Sequence, residues 1–320
     1  MKFIDFFAGI GGFRLGMEMT GHECVGHCEI DKFANESYVA MHNVKEGEWY
    51  ADDITRVKPG ELPEADCYCF GFPCQAFSIA GNRRGFEDTR GTLFFEVMRL
   101  AKERKPRILF AENVKGLLNH EGGRTFGIII STMDELGYDV EWQVLNSKDF
   151  GVPQNRERVF IIGHLRGTGS RKVFPIRDGS KEVDDLQRQE TGTITTRTGQ
   201  ASTVETYIIE SKQHAQVKQI IGGSQGNRVY DPSGISVTLS SQGGGQGAKT
   251  GLYAIPNPKS DGNLEYYIRK LTPKECFRLQ GFSDEYFERA RAVNSDSQLY
   301  KQAGNSVTVN VIYEIARRLT

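Results

Sequence analysis

The chain reads as an α/β protein with a smaller part rich in β-structure and loops. Three observations predict this. Short apolar runs alternate with amphipathic stretches over the first 165 residues, helical periodicity disappears from about 166 to 270, and it returns after 270. Residues 2–7 read as a buried strand and 12–21 as a helix ended by glycine. Residues 23–28 and 32–43 repeat that strand–helix pair. A strand at 67–70 leads into a loop over 71–91. Leu93, Val97 and Leu100 then share helical spacing within 92–104. A strand at 107–111, a helix at 125–136 and strands at 138–146 and 158–163 follow. Such alternation implies a largely parallel sheet covered on both faces.

Between 171 and 270 Thr, Ser, Gln and Gly dominate, and this stretch holds 13 of the 36 glycines. It carries 13 Lys+Arg against 10 Asp+Glu, a local excess of three positive charges in a chain of net charge -1. Residues 193–209 and 237–255 echo each other as strand, small polar loop, strand. The returning Tyr, Ile and Val argue for a folded second domain rather than a flexible insertion. After 270, LTPKECFRLQGF predicts a helix with Thr272 as N-cap and Pro273 at its first position. Residues 305–319 predict a final amphipathic helix that packs back on the first domain. The expected division is 1–170, completed by 271–320, with 171–270 as the second domain.

The apolar fraction of 38% and charged fraction of 25% suit a globular protein able to bury a core. The near-zero net charge shows no global affinity for nucleic acid, so such binding needs a local groove, and charge alone favours a small-molecule substrate. The six cysteines form no CxxC pair and no histidines have zinc spacing, so neither disulfides nor a metal are expected. The opening MKFIDFFAGIGG is too rich in glycine for a signal peptide, and no apolar run approaches the ~20 residues of a membrane span. These features predict a soluble, cytoplasmic protein without a membrane partner.

Four local patterns carry chemistry. FFAGIGGF follows a strand and opens a helix, where glycines let a ligand approach the backbone. Arg14 replaces the third glycine of a dinucleotide fingerprint, which argues against nicotinamide. Glu29 ends the next strand, 20 residues after Gly9, where an acid can hold both ribose hydroxyls of an adenosine-containing cofactor. Asp52 or Asp53 could accept from an adenine amino group. In GFPCQAFS, Cys74 lies past a strand end, although a lone cysteine is more often buried filler than a nucleophile. Glu112 ends the strand ILFAENV, and QNRERVFIIG places Arg156 and Arg158 on one strand face. Each has a bland reading as a capping acid or a salt-bridged edge. Together they place a nucleophile, an acid and two cationic donors beside one cofactor loop.

These motifs resemble the bacterial C5-cytosine-specific DNA methyltransferases of the restriction–modification type. The matching stretches are FAGIGGF (7–13), Glu29, Asp53, GFPCQAFS (71–78), GFEDTRGTLFFE (85–96), ENV (112–114), QNRER (154–158), LTPKEC (271–276) and GNSV (304–307). They occur in the family's linear order and span nearly the whole chain. Residues 166–270 lack family-wide motifs, which is where the family carries its variable target-recognition domain. The resemblance implies a Rossmann-like, mostly parallel methyltransferase domain that binds S-adenosyl-L-methionine, a smaller target-recognition domain, and a DNA cleft between them. It further implies methyl transfer to carbon 5 of a flipped-out cytosine in a short duplex sequence, with S-adenosyl-L-homocysteine as product and no metal.

By the same resemblance Cys74 attacks carbon 6, Glu112 assists at N3, and Arg158 and Arg156 hold the cytosine O2 or orient the other two. Phe7, Ala8, Gly9, Ile10, Gly11 and Gly12 are expected to line the cofactor pocket. Glu29, Ile30, Asp53, Ile54, Pro73 and Leu93 join them, with Asn305, Ser306 and Val307 from the C-terminal segment. Gln75, Ser78, Gln225, Arg228 and Thr238 are expected at the DNA, with Gln225 and Ser78 filling the space that the extruded base leaves. Expected partners are double-stranded DNA and a cognate restriction endonuclease, with the protein itself a monomer. Rival readings are a transfer-RNA cytosine methyltransferase, a catalytically silent DNA-binding regulator, and a nicotinamide oxidoreductase. The Gly/Thr/Ser-rich segment argues against the first, the intact Cys74, Glu112, Arg156 and Arg158 against the second, and Arg14 against the third.

Overall fold

The structure is a computed structural model that describes residues 1–73, 93–169, 171–176, 193–194, 217–221, 228–231, 233–239, 251–256 and 266–319. The strands of the first part are β1 (Lys2–Phe6), β2 (Glu23–Cys28), β3 (Trp49–Ala51), β4 (Cys67–Gly71), β5 (Ile108–Val114), β6 (Tyr138–Asn146) and β7 (Glu157–Leu165). With β8 (Thr193–Ile194) they form one sheet in the order β3-β2-β1-β4-β5-β7-β6-β8. The ladders joining β3, β2, β1, β4 and β5 are parallel, while β7 runs antiparallel to both neighbours. Parallel strands are covered on both faces, which is why FIDF, CYCF and ILFA are almost continuously apolar.

Helices α1 (Gly12–Glu18), α2 (Lys32–Met41), α3 (Leu93–Arg104) and α4 (Arg124–Glu135) connect these strands. Phe94, Met98 and Leu100 of α3 and Ile129 and Met133 of α4 bury against one face of the sheet. The other face is covered by Phe13 and Met17 of α1 together with Val311, Ile312 and Ile315 of the C-terminal helix α8 (Val309–Ala316). A Cβ on Gly16 would stand 2.6 Å from the Ile312 side chain, so this glycine lets α1 and α8 close together. The C-terminus thus packs back on the first domain, as the pattern after residue 270 predicts.

Every strand and helix read from the first 165 residues is present, with ends shifted by a few residues. The strand β3, only three residues long, gave no periodic signal. The helix expected over 305–319 is present as α8 but starts four residues later, at Val309, because Asn305 is the last residue of a separate helix, α7 (Asp296–Asn305), that the sequence reading missed. Ser306 and Thr308 between them are extended, and the Thr308 hydroxyl bonds to the side chains of Ser147 and Gln280. Those side-chain bonds compete with the helix for the chain, as Ser and Thr do.

Helices α5 (Pro273–Leu279) and α6 (Asp284–Arg291) precede α7. Thr272 caps α5 as expected: its hydroxyl accepts from the Glu275 amide at 3.2 Å, and Glu275 accepts from the Thr272 amide at 2.7 Å. Thr272→Ala should lower unfolding stability by about 1 kcal/mol, read from a denaturant titration.

A second sheet contains β9 (Gln219–Ile221), β10 (Val229–Tyr230), β11 (Leu252–Pro256) and β12 (Tyr266–Lys270), in the order β12-β11-β10-β9. It falls within the span expected to be β-rich. Two other pieces of that span attach to the first sheet. Glu141 accepts from the amides of Val173 and Phe174, and Gln143 bonds both ways with the backbone of Ile176. Residues 193–194, read as part of the second domain, pair with β6 and cover what would be an exposed edge. The rest of 195–209 lies outside the described residues.

Candidate active site

A cavity of about 390 Å³ opens at the C-terminal edge of the parallel strands. The turn after β1 supplies Phe7, Ala8, Gly9 and Gly12 to its lining, and β2 leads to Glu29. The Glu29 carboxylate is 9% exposed. Its Oε2 accepts from the Gly9 amide and its Oε1 from the Asp31 amide, both at 2.7 Å. Burial nevertheless pushes the Glu29 pKa above its usual range. Each oxygen keeps lone pairs for a further donor.

Strand β5 gives Glu112, Asn113 and Val114 to the lining, and Glu112 pairs with Gly71 of β4 and Phe160 of β7. Arg158 Nε lies 3.0 Å from Glu112 Oε1. Burial raises the Glu112 pKa and outweighs the opposing pull of Arg158 and Arg156. Next to it, Asn113 donates from Nδ2 to the Phe72 carbonyl at 2.8 Å, which fastens the end of β4 that leads through Pro73 to Cys74. Pro73 lines the cavity. Cys74, Gln75 and Ser78 lie outside the described residues, as does Gln225.

The two arginines share the cavity but not a partner. Arg156 precedes β7, so the same-face rule for strand residues two apart does not carry it to Glu112. Its Nη1 donates to Leu239 O at 3.3 Å, and its Nη2 to Gly304 O at 3.0 Å and Ser306 O at 2.8 Å. Gly304, Asn305, Ser306 and Val307 complete the lining from the C-terminal segment.

A family model for C-5 cytosine-specific DNA methylase matches residues 1–320. The chain belongs to that family. It is 41% identical over 335 residues to the type II methyltransferase M.HhaI of Haemophilus parahaemolyticus, covering 99% of this chain and 93% of that protein. It is 39% identical over 328 residues to the type II methyltransferase M.HpaII of Haemophilus parainfluenzae, covering 99% and 88%. The crystal structure of S. pombe Dnmt2 methyltransferase superposes with a TM-score of 0.68 at 18% identity, covering 99% of this chain and 97% of that one, and speaks for the fold.

Several expected cofactor contacts of the methylase have other surroundings. Gly11 makes room for a histidine: a Cβ there would stand 2.2 Å from His42 Nε2, which bonds to Ile10 O at 3.0 Å. Burial pulls the His42 pKa down to about 4, so the ring is neutral near pH 7. A Cβ on Gly12 would strike Val307 and Ser306, so this glycine seats the C-terminal segment. Ile10 and Ile54 are buried core residues, and Leu93 packs beside the core. Asp53 caps the 3-10 turn Ile54–Arg56, with its Oδ1 accepting from the amide and hydroxyl of Thr55. Ile30 is 73% exposed and stands outside the lining. Thr238 spends its hydroxyl proton on Asn155 O at 2.5 Å, and Arg228 is exposed just before β10.

The sequence reading missed Asp31 and Lys301. Both line the cavity, and Lys301 Nζ contacts Asp31 Oδ2 at 2.6 Å. The N-cap position of Asp31, before KFANES, was a usable signal for one of them. Lys301 gave none, because a lysine within a polar helix reads as solvated.

The donor set fits S-adenosylmethionine. The cavity volume lies in the range of roughly 300–1,000 Å³ usual for small-ligand sites. Gly9 has no atom within 4 Å of a built Cβ, which leaves backbone open beside the Glu29 carboxylate. Glu29→Ala removes a charged acceptor worth about 1.5–3 kcal/mol per hydrogen bond. It should weaken binding of S-adenosylhomocysteine by roughly ten- to a hundredfold, read by isothermal titration.

Proposed function

We propose that this methylase moves a methyl group from S-adenosylmethionine to carbon 5 of a cytosine extruded from a short specific duplex sequence. Cys74 is the nucleophile and Glu112 the acid at N3. One observation carries the reading: a single cavity is lined by Glu29, by the Arg158–Glu112 pair and by Pro73, the residue before Cys74.

Carbon 5 of cytosine is too weak a nucleophile on its own. A bond from the Cys74 thiolate to carbon 6 moves electron density toward carbon 5 and places negative charge on the ring. Glu112 relieves that charge by giving its proton to N3, and the burial that raises its pKa keeps more of it protonated near neutral pH. Arg158 holds the carboxyl through Nε and donates from Nη1 to Glu157 O at 2.8 Å, which leaves Nη2 to donate to the cytosine O2. Bound S-adenosylmethionine supplies an electrophilic methyl group for carbon 5. Afterwards the carbon 5 proton departs, the bond from sulfur to carbon 6 breaks, N3 returns its proton to Glu112, and the aromatic ring and the Cys74 thiolate are restored. Water can accept that proton.

Glu29 is the acceptor for the ribose hydroxyls, and the exposed Ile30 beside it offers an apolar platform for adenine. Asp53 answers the adenine amino group. Asn305 and Ser306 face the cofactor from the C-terminal segment. Extruding a base costs a few kcal/mol. Gln225 and Ser78 fill the space left behind, approaching from opposite grooves. Arg228 contacts bases or phosphates, and Thr238, its proton given to Asn155 O, can accept from a base, so that residues 171–270 carry target recognition. The type II designation of M.HhaI and M.HpaII supports a partner restriction endonuclease.

The test is transfer of labelled methyl groups from S-adenosylmethionine to duplex DNA, single-stranded DNA and transfer RNA, with mass identification of the modified nucleoside. 5-Methyldeoxycytidine from duplex is expected. Label found only on RNA would overturn the substrate.

A further inference from the structure

The Arg156 guanidinium is 2% exposed, and the bonds it makes all run to backbone carbonyls of two distant segments. Leu239 belongs to the stretch assigned above to target recognition. It is held a second time by its amide donating to Gln154 Oε1 at 3.2 Å. Gly304 and Ser306 flank Asn305 and line the cofactor cavity. Their carbonyls sit where α7 ends and intrahelical donors run out. Arg156 is therefore their partner in a buried place where an unmet carbonyl costs free energy.

We propose that Arg156 is a positioning residue that couples seating of the recognition segment on duplex DNA to the shape of the cofactor cavity. The proposal rests on the function inferred above. A guanidinium is planar and its N–H groups keep fixed directions. A small shift of Leu239 on binding DNA therefore tilts the fork that holds the carbonyls on either side of Asn305. Desolvation and the neighbouring Arg158 lower the Arg156 pKa to about 9, so the fork stays charged near pH 7. By linkage, any factor by which duplex tightens cofactor binding is also the factor by which cofactor tightens duplex binding.

The experiment is titration of S-adenosylhomocysteine into the methylase alone and with a duplex carrying its mapped methylation site. Wild type should bind the probe about tenfold more tightly with duplex present. Arg156→Lys keeps a charge but has no planar fork. Its affinity for the probe alone serves as its own baseline, against which it should lose most of the enhancement. Gln154→Met cuts the second hold on Leu239, together with the Gln154 Nε2 bond to Leu279 O, but leaves the Arg156 fork in place and should retain the enhancement. Equal enhancement in wild type and Arg156→Lys overturns the proposal, as does an equal loss in Gln154→Met or no enhancement in wild type. Hydrogen exchange on wild type covers an Arg156→Lys chain that does not fold. Duplex alone should slow exchange at 304–308 along with 235–239. Protection at 235–239 with none at 304–308 overturns the coupling alone. Protection at neither overturns the coupling and the DNA reading together.

Discussion

Replacing Cys74 by alanine should abolish methyl transfer to duplex DNA while duplex binding persists. Without a bond to carbon 6, carbon 5 has no activated form, and the remaining machinery has nothing to act on. Removing a covalent nucleophile in other enzymes costs on the order of 10⁴-fold or more. No other thiol is placed to substitute. Cys24, Cys28, Cys67, Cys69 and Cys276 are all buried. Burial pushes the thiols of Cys24, Cys28 and Cys276 up to about 12, far from the thiolate that attacks. Labelled methyl transfer and a gel-shift titration on the same preparation separate chemistry from binding. Measurable turnover by Cys74→Ala would remove Cys74 from its role.

The second large effect concerns Glu112. Glu112→Gln keeps the shape and can still accept a hydrogen bond from Arg158, but it cannot give up a proton as an acid does. The rate of methyl transfer should fall by about 10²-fold or more. The pH profile gives a sharper signature. Glu112 has a raised pKa because it is buried, and its protonated form is the working one. The wild-type rate should therefore lose the contribution of Glu112 as pH rises through that raised value. The Gln variant should lack this fall, and what remains should track ionisation of the nucleophile, rising with pH. A near-normal rate for Glu112→Gln, or an unchanged pH profile, sinks the protonation argument.

Residues whose place in the cavity follows from strand ends were legible in the sequence. Glu29, Glu112 and Arg158 each sit where an apolar run meets a loop, and a parallel sheet gathers such places along one edge. Thr272 was legible because a capping box is a local device with its own spelling. Residues whose surroundings come from distant segments were not. Arg156 finds carbonyls 83, 148 and 150 positions away, and no periodicity encodes such partners. Gly11 and Gly12 read as ligand-facing because glycine loops often are, and of the two only Gly12 lines the cavity. Their missing side chains also admit His42 and residues 306–307, a packing need that belongs to the tertiary structure. Asp53 and Thr238 likewise engage local and cross-chain backbone partners that motif spacing does not announce.

The cofactor cavity draws its walls from both ends of the chain, from Phe7 to Gly12 and from Gly304 to Val307. A ribosome makes the first wall early and the second roughly 300 residues later, tens of seconds apart at ~5–20 residues/s. A nascent chain therefore carries its glycine turn and Cys74 loop for most of its synthesis with no finished pocket. Methyl transfer is therefore expected only once residues 304–307 have been made, and a chain that stops before Gly304 lacks the second wall.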